Sequence, residues 1–351
     1  MADYTSIDDP ELYFQCKTYS GSSSDVTVTF DGTNDMQPDL VWLKSLASGD
    51  HLIYDSVRGA NKRLQPNADD AEVDRSGNND ELKAFNSDGW TLGTFNSNVT
   101  GDGNSCVSWN WKAGTSFTND ASATSVGTID SAGSSNSSSN FSILTYTGTG
   151  SSGSIAHNMG SAPTTIFIKR RNSSDSWTVG HSSNGWGGFL RLDTTQAFGS
   201  DTSTWTNTAP TSTVFTVNTN DVNNSGTTFV AYCFADKQGY SKFGTYVGNG
   251  NAFGPFVFTG FRPAFVLQKS TAVQGWQLQD NKRDGFNGSN DLIQANDSAA
   301  QSGVNRVDLL SNGFKVITTD AGQNTSGQKY VYWAFAEQPF VNSNGVPANA
   351  R

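Results

Sequence analysis

Several residue types are scarce in this 351-residue sequence, and each scarcity argues against a class of protein. Cysteine occurs three times, far apart, so we expect no disulfide framework. Each of Cys16, Cys106 and Cys233 lies in a hydrophobic run, where cysteine behaves as a small core residue. Glutamate is rare, which argues against long, charge-laced helices. No apolar run approaches the roughly 20 residues that a membrane-spanning helix needs.

Basic clusters are also missing. The formal net charge is −10, and the longest basic run is Lys169-Arg170-Arg171. Nucleic-acid binding requires a basic surface that displaces counterions, and acidic membranes attract the same kind of surface. We therefore expect neither nucleic acid nor membrane as a partner, and we interpret the negative charge as an aid to solubility.

An internal repeat is the strongest feature that is present. The pattern Pro-x-x-(Val/Ile)-x-x-Lys begins at positions 38, 163 and 263, and a Tyr-x-Gly precedes each proline by 17 to 19 residues. A run with paired aromatics follows each proline after 67 to 69 residues. These runs are Val107-Ser108-Trp109-Asn110-Trp111, Val230-Ala231-Tyr232-Cys233-Phe234 and Val331-Tyr332-Trp333-Ala334-Phe335. The chain therefore contains three copies of one unit.

Short alternating segments separated by Gly, Asn, Asp and Ser turns fill each copy. Such spacing is typical of antiparallel sandwiches. We predict an all-β protein of three tandem antiparallel β-sandwich domains, jelly-roll or lectin-like in type. Val107, Trp109 and Trp111 share one face of the last strand because side chains alternate, and we expect that face to point inward.

The register of the copies sets the predicted boundaries. Residues 1–10 form an N-terminal attachment arm, and residues 341–351 form a C-terminal tail. The three sandwich repeats cover 11–114, 140–237 and 238–340. Residues 115–139 are dominated by Ser, Thr, Gly and Asn, so we predict a flexible linker, or a strand that orders only against a partner.

Catalytic and metal sites find little support in the sequence. The three histidines do not recur at equivalent positions, no nucleophile elbow stands out, and dinucleotide and phosphate motifs are missing. We expect no catalytic residue and no cofactor. The acidic stretch containing Asp70, Glu72 and Asp74 is the candidate for a calcium site, although its glycine does not match the calcium-loop template.

Two tryptophans stand apart from the repeat landmarks. Trp186 and Trp205 lie in polar, glycine-rich surroundings that only the second copy has. Exposed aromatic rings stack on ligands such as sugars, whereas the landmark tryptophans are explained by core packing. We predict Trp186 and Trp205 as ligand or receptor contacts.

Longer phrases of the sequence resemble a family of virion proteins common in marine bacteriophages, mostly phages that infect cyanobacteria and related bacteria. The phrases are Tyr13-Phe14-Gln15-Cys16-Lys17-Thr18-Tyr19-Ser20-Gly21, Tyr54-Asp55-Ser56-Val57-Arg58-Gly59, Ser87-Asp88-Gly89-Trp90-Thr91-Leu92-Gly93, Gly239-Tyr240-Ser241-Lys242-Phe243-Gly244 and Ala334-Phe335-Ala336-Glu337-Gln338-Pro339-Phe340. The resemblance covers nearly the whole chain and carries no catalytic residues.

The resemblance implies a non-enzymatic virion structural protein, assembled in the host cytoplasm. We expect a tail- or fibre-associated protein that contributes to host-surface binding. Head-surface decoration, a lectin-like carbohydrate-binding protein and a depolymerase that acts on host surface polysaccharide are the alternatives. Expected partners are other virion proteins contacted through the N-terminal arm, a host-surface glycan or receptor, and further copies of the chain in a homo-oligomer.

Overall fold

Antiparallel β-strands make up nearly all regular structure in the computed structural model of the chain. The structure describes residues 5–95, 97–218, 221–284, 286–288 and 290–349. Within these ranges the helices are single turns, and none has the length or apolar composition to span a membrane. The all-β fold class is confirmed.

The strands follow the three copies in order. The first copy contains a 3-10 helix (Pro10–Leu12), β1 (Phe14–Ser20), β2 (Val26–Val28), β3 (Leu40–Ser45), β4 (Leu52–Asp55), β5 (Lys62–Arg63), β6 (Val73–Asp74), β7 (Leu82–Phe85), β8 (Trp90–Leu92), α1 (Ser97–Thr100) and β9 (Ser105–Trp111). The connection contains β10 (Thr115–Asn119), α2 (Ala121–Thr124) and β11 (Ser131–Asn136). The second copy contains β12 (Phe141–Thr147), β13 (Gly153–Ala156), β14 (Thr165–Arg170), β15 (Thr178–His181), a 3-10 helix (Ser182–Asn184), β16 (Gly188–Arg191), β17 (Gly199–Ser200), α3 (Thr202–Trp205), β18 (Val214–Val217) and β19 (Thr228–Phe234). The third copy contains β20 (Ser241–Val247), β21 (Phe256–Phe258), β22 (Phe261–Ser270), β23 (Trp276–Asp280), β24 (Ile293–Gln294), β25 (Val307–Leu310), β26 (Gly313–Val316), α4 (Ala321–Asn324) and β27 (Lys329–Pro339).

Each copy folds into one large and one small antiparallel sheet with a shared strand order, and the first copy also contains the two-stranded sheet β5-β6. The large sheets run β1-β9-β3-β4 in the first copy and β20-β27-β22-β23-β24 in the third. In the second copy the order β12-β19-β14-β15-β16-β17 is preceded by β10-β11. The small sheets are β2-β8-β7, β13-β18 and β21-β26-β25. In every copy the last strand therefore lies between the first strand and the strand with the proline–lysine motif.

The two faces of each large sheet serve different cores. Val107, Trp109 and Trp111 share one face as predicted, and all three are buried in a core that also contains residues of the other two copies. Cys106, on the opposite face, belongs to a core that lies within the first copy. Cys233 lies on the corresponding face in the second copy and belongs to the core within that copy, and all three cysteines are buried and unpaired. Because side chains alternate between the two faces, one strand contributes residues to two different cores.

Aromatic rings from all three copies meet in the shared core. The ring centroid of Phe335 lies within 6 Å of the ring centroids of Phe14, Trp111, Phe234 and Phe265. One ring therefore contacts residues of its own copy and of both other copies. Offset and edge contacts of this kind add stability beyond the buried area. The large sheets therefore pack on one another, and the copies share a single apolar centre.

Equivalent hydrogen bonds cross the boundaries between neighbouring copies, which we call seams. Trp177 of the second copy donates from Nε1 to the carbonyl of Gln65 in the first at 2.9 Å. Trp276 of the third copy donates to the carbonyl of Arg191 in the second at 2.7 Å. The same strand position therefore reaches back to the preceding copy at both seams.

The third seam closes the ring between the first and third copies. His51 occupies the equivalent position, and its Nε2 lies 3.1 Å from the carbonyl of Gln294. Its Nδ1 accepts a hydrogen bond from Nε1 of Trp42 at 2.9 Å, so Nε2 carries the hydrogen and donates. Burial holds the pKa of His51 well below its ordinary value, which keeps the ring neutral.

Residues 115–139 are ordered against the second copy, which corresponds to the second of the two alternatives and not to a flexible linker. β10 pairs with β11, and β11 pairs with β12, which widens the large sheet to eight strands. Gly133 permits the close approach, because a Cβ there would lie 2.0 Å from the carbonyl oxygen of Ile143. Pairing with an existing sheet edge needs backbone groups more than apolar side chains.

The predicted arm and tail also lie on the body where the structure describes them. Ile7 is buried in the shared core, and the hydroxyl of Ser6 donates to the carbonyl of Gln238 at 2.9 Å. Residues 5–10 are therefore packed against the rest of the chain, residues 1–4 lie outside the described residues, and the attachment role of the arm stays a prediction. In the tail, the backbone N–H of Ser343 donates to Asp8 at 2.7 Å.

Candidate functional site

Trp186 and Trp205 are buried, so the expectation that they form an exposed contact surface is wrong. Trp186 is 6% exposed and Trp205 is 0% exposed, and their ring centroids lie 5.5 Å apart in the core of the second copy. Gly180 makes the space for them, since a Cβ there would lie 2.6 Å from the ring of Trp186. Small residues near these tryptophans provide packing room instead of an open surface.

The acidic stretch does not form the calcium site considered from the sequence. Glu72 accepts hydrogen bonds from Arg58 at 3.0 Å and from Arg171 at 2.9 Å. Burial raises the pKa of Glu72, but the two guanidinium groups outweigh it and hold the pKa below its ordinary value. Asp74 caps the turn at Ser76, and Asp70 is exposed. The described ranges contain no group of three or more His, Cys, Asp or Glu residues placed to bind a metal ion.

The remaining histidines are buried, like His51. Nε2 of His157 lies 3.1 Å from the carbonyl of Thr211, and Nδ1 accepts from the backbone N–H of Met159. Burial lowers the pKa of His157 to about 4 and that of His181 to about 3. Both rings are therefore neutral at pH 7 and act as packed structural groups.

The landmark lysines have a structural role that the sequence did not reveal. Lys44, Lys169 and Lys269 have no exposed surface, and each Nζ donates to the carbonyl of the following residue at 2.7 to 3.0 Å. Nζ of Lys169 also reaches the carbonyl of Asp69 in the first copy at 3.1 Å. Burial lowers the pKa of all three lysines to about 8. The motif lysine thus satisfies carbonyls at the end of its strand.

Two buried carboxylate–guanidinium pairs were also missed. Asp55 pairs with Arg58 in the first copy, and Asp280 pairs with Arg283 in the third at 2.7 Å. The Asp-x-x-Arg spacing that begins at the last residue of β4 and of β23 is the signal that could have revealed them. Tyr232 donates its hydroxyl hydrogen to Asp55 at 2.6 Å, so this pair takes part in the seam between the first two copies.

A groove on the second copy is the best candidate for ligand binding. Its lining comes from the added strands β10 and β11, from the segment between α2 and β11, and from the neighbouring strands β12 and β19 of the same sheet. Its volume is about 620 Å³. Most lining residues carry a hydroxyl or a carboxylate, and we call it the threonine groove after Thr118, Thr145, Thr147 and Thr228; Asp120 and Asp130 also line it.

Sheet register places the four threonines on one face. Thr147 lies directly opposite Thr228 on β19, and Thr145 and Thr147 share a face because they are two residues apart. Thr118 lines up with Thr145 through Ala132 of the strand between them. The result is a flat array of hydroxyls beside Arg171, whose backbone N–H donates to the carbonyl of Thr228 at 2.8 Å.

Several polar groups of the threonine groove are available to a ligand. The hydroxyls of Thr118, Thr147 and Thr228 have no hydrogen-bond partner among the described residues, whereas that of Thr145 donates to the carbonyl of Ala132. Asp130 uses Oδ1 to accept from the N–H of Ala121, which leaves Oδ2 without a protein partner in the described ranges. The groove therefore offers paired donors and acceptors without an excess of positive charge, which suits a neutral polyhydroxyl ligand.

A family model described as a domain of unknown function (DUF7483) matches residues 9–339. The chain belongs to this family. The match extends across all three copies and the connection between the first two. No curated protein and no solved structure matches the chain.

Proposed function

We propose that this chain is a non-enzymatic structural protein of a phage virion, associated with the tail or its fibres, and that it contributes to host-surface binding. The phrases that resemble marine phage virion proteins support the location. The threonine groove carries the proposal of binding, because it adds an accessible polar cavity to a body whose copies are joined by one core. Binding sites on rigid scaffolds lose little conformational freedom when a ligand arrives.

The ligand class follows from the chemistry of the groove. Saccharides present hydroxyls that both donate and accept, and the free hydroxyls of Thr118, Thr147 and Thr228 do the same. The carboxylates of Asp120 and Asp130 accept from sugar hydroxyls, which disfavours anionic ligands. We therefore propose a neutral saccharide of the host envelope as the ligand. The same observation favours a lectin-like protein as the second candidate function, on the virion or free of it.

A glycan array tests the binding proposal directly. The full chain is applied to printed lipopolysaccharide and capsule saccharides of marine cyanobacteria, beside the double variant Thr118→Val, Thr147→Val. Valine keeps the threonine shape and removes the hydroxyl, so we expect at least a tenfold loss of affinity with an unchanged melting temperature. Thr27→Val is the matched control, because Thr27 is exposed on β2, away from the groove.

Two outcomes would count against saccharide binding: equal array signals for the parent and the double variant, or no signal for either. The virion location is tested separately by cryo-electron microscopy of the particle. Density at the tail supports the leading proposal, and density on the head supports decoration. Absence from the particle overturns the virion role and leaves the free lectin-like protein.

A further inference from the structure

The second copy shows how this fold protects the edge of its small sheet. Residues 128–130 run beside β13, and Ile129 forms a parallel bridge with Ile155. The N–H groups of Thr128 and Ile129 both donate to the carbonyl of Ser154, at 2.8 and 3.0 Å. The side chain of Ile129 is 4% exposed in the core of that copy. An extended segment with one aliphatic residue therefore completes this edge.

The equivalent edge in the third copy is β21. Ile155 pairs with Phe215, and Val257 pairs with Phe314, so β13 and β21 occupy matching positions. The carbonyl of Pro255 accepts a hydrogen bond from the N–H of Val316. The backbone N–H and C=O groups of the odd-numbered residues of β21 therefore point toward β26. The backbone groups of Phe256 and Phe258 consequently face outward. Among the described residues, no segment pairs with that side of β21.

Apolar side chains surround this open edge. Phe253 is 80% exposed, Phe256 is 47% exposed and Phe258 is 59% exposed, and we call these three the phenylalanine patch. The second copy has Ser154 and Ala156 where the third has Phe256 and Phe258. An open edge with exposed aromatics invites pairing with another chain, and native proteins usually guard against it. Because the third copy keeps this open edge with exposed phenylalanines, we infer that the edge has a function.

The charges beside the patch indicate what kind of segment fits. Lys315 lies opposite Phe256, with Nζ 5.7 Å from the centroid of Phe253, and it forms no ion pair within the described ranges. Lys237 shares a groove of about 640 Å³ with Phe258 and is also without an ion pair there. Two unpaired cations favour an acidic partner.

We propose that β21 is a strand-addition site for an extended, acidic segment of a partner protein. The segment lies parallel to β21, its backbone pairs with Phe256 and Phe258, and its aliphatic side chain packs beside Val257 as Ile129 packs beside Ile155. The residues on either side of that aliphatic residue contact the phenylalanine patch. Main-chain pairing supplies affinity in such complexes, and side-chain pockets supply selectivity. The site is separate from the threonine groove, so either can exist without the other.

A synthetic peptide with the sequence of residues 124–133, labelled with fluorescein, is the probe. In the second copy the chain's own residues already occupy the position that this peptide would take. A saturable rise in fluorescence anisotropy therefore indicates that the peptide binds at another sheet edge. We expect binding to the full chain, and at least tenfold weaker binding to Phe253→Ser, Phe256→Thr, Phe258→Thr. A peptide carrying lysine in place of Asp130 should also bind at least tenfold more weakly, because it faces Lys315 and Lys237.

Two further measurements locate the peptide. Amide hydrogen exchange should slow at Phe256 and Phe258 when the peptide is added, since those N–H groups face outward. Phe256→Pro removes one outward N–H without breaking the ladder to β26, and should weaken binding while the chain stays folded. Equal binding by the triple variant, or protection confined to another edge, overturns the proposal. So does sedimentation that shows a dimer of the chain abolished by the triple variant, because the occupant would then be a second copy.

Discussion

His51 of the first copy donates a hydrogen bond to the carbonyl of Gln294 in the third copy, at the position that tryptophans occupy in the other two copies. The imidazole reproduces the single N–H of an indole because Trp42 fixes its tautomer. The three copies are therefore closed into a ring by one repeated type of contact, made by two different side chains.

Removing the seam hydrogen bonds should lower stability. Trp177→Phe and Trp276→Phe each take away an Nε1 donor at a seam, and we expect each to lower the free energy of unfolding by about 1–2 kcal/mol beyond the loss of ring area. Urea unfolding followed by fluorescence measures the free energy of unfolding of each variant. Trp205→Phe is the matched control, because its buried Nε1 has no hydrogen-bond partner in the described part of the chain. Equal losses at all three positions would contradict a role for the bonds.

The buried histidines should make stability depend on pH. His51, His157 and His181 have pKa values in the folded protein below the ordinary 6.5 because burial disfavours the charged ring. The unfolded chain therefore binds their protons first, and stability that is present above pH 6.5 is lost as pH falls. Between pH 7 and pH 5 we expect a loss of about 2 kcal/mol per histidine, measured by urea unfolding.

A single histidine can be isolated from that total. His157→Asn should reduce the loss between pH 7 and pH 5 by about 2 kcal/mol, whatever its effect at pH 7, because the variant has one titrating ring fewer. An unchanged pH dependence would show that His157 becomes protonated without cost in the folded chain.

Breaking the charge pair at the first seam should be costly. Arg58→Met leaves Asp55 buried without its cation and removes one of the two guanidinium groups on Glu72. We expect a loss of about 3–5 kcal/mol in the free energy of unfolding, measured by chemical denaturation. Arg306→Met is the control, since Arg306 pairs with the partly exposed Asp320, and it should cost much less. Similar losses for both variants would argue against the special role of the buried pair.

Filling the space below the two tryptophans should also destabilise the second copy. In Gly180→Ala the new Cβ would lie 2.6 Å from the ring of Trp186 and 2.9 Å from that of Trp205. We expect a loss of about 1–3 kcal/mol, visible as a lower midpoint of urea unfolding. Gly77→Ala has no atom within 4 Å of its Cβ and should be near neutral. If saccharide binding survives in Gly180→Ala, these tryptophans act through packing alone.

Local pattern was sufficient to predict the fold class and much of the core. The alternation in Val107, Trp109 and Trp111 predicts one buried face, and that face is buried. The same alternation does not say which layer covers it. Here the neighbouring copies cover it, a long-range arrangement that depends on side chains in all three copies.

Two features of the second copy depend on residues that are distant in the sequence. The exposure of Trp186 and Trp205 was inferred from polar neighbours in the sequence, yet their surroundings are set by Gly180, which lies on another strand. Residues 115–139 were judged by their lack of apolar side chains, whereas backbone pairing to β12 orders them. The threonine groove depends on that pairing, so the sequence alone could not predict it.

Closing the ring within one polypeptide has a consequence for how its surface can diverge. In a trimer of identical subunits, every surface substitution appears three times, and a useful change on one face is imposed on the others. Here each copy is encoded separately, while the closing contacts need only a donor at one strand position. One copy has thereby acquired hydroxyls and another phenylalanines, and the ring presents two chemically different surfaces at a fixed mutual orientation.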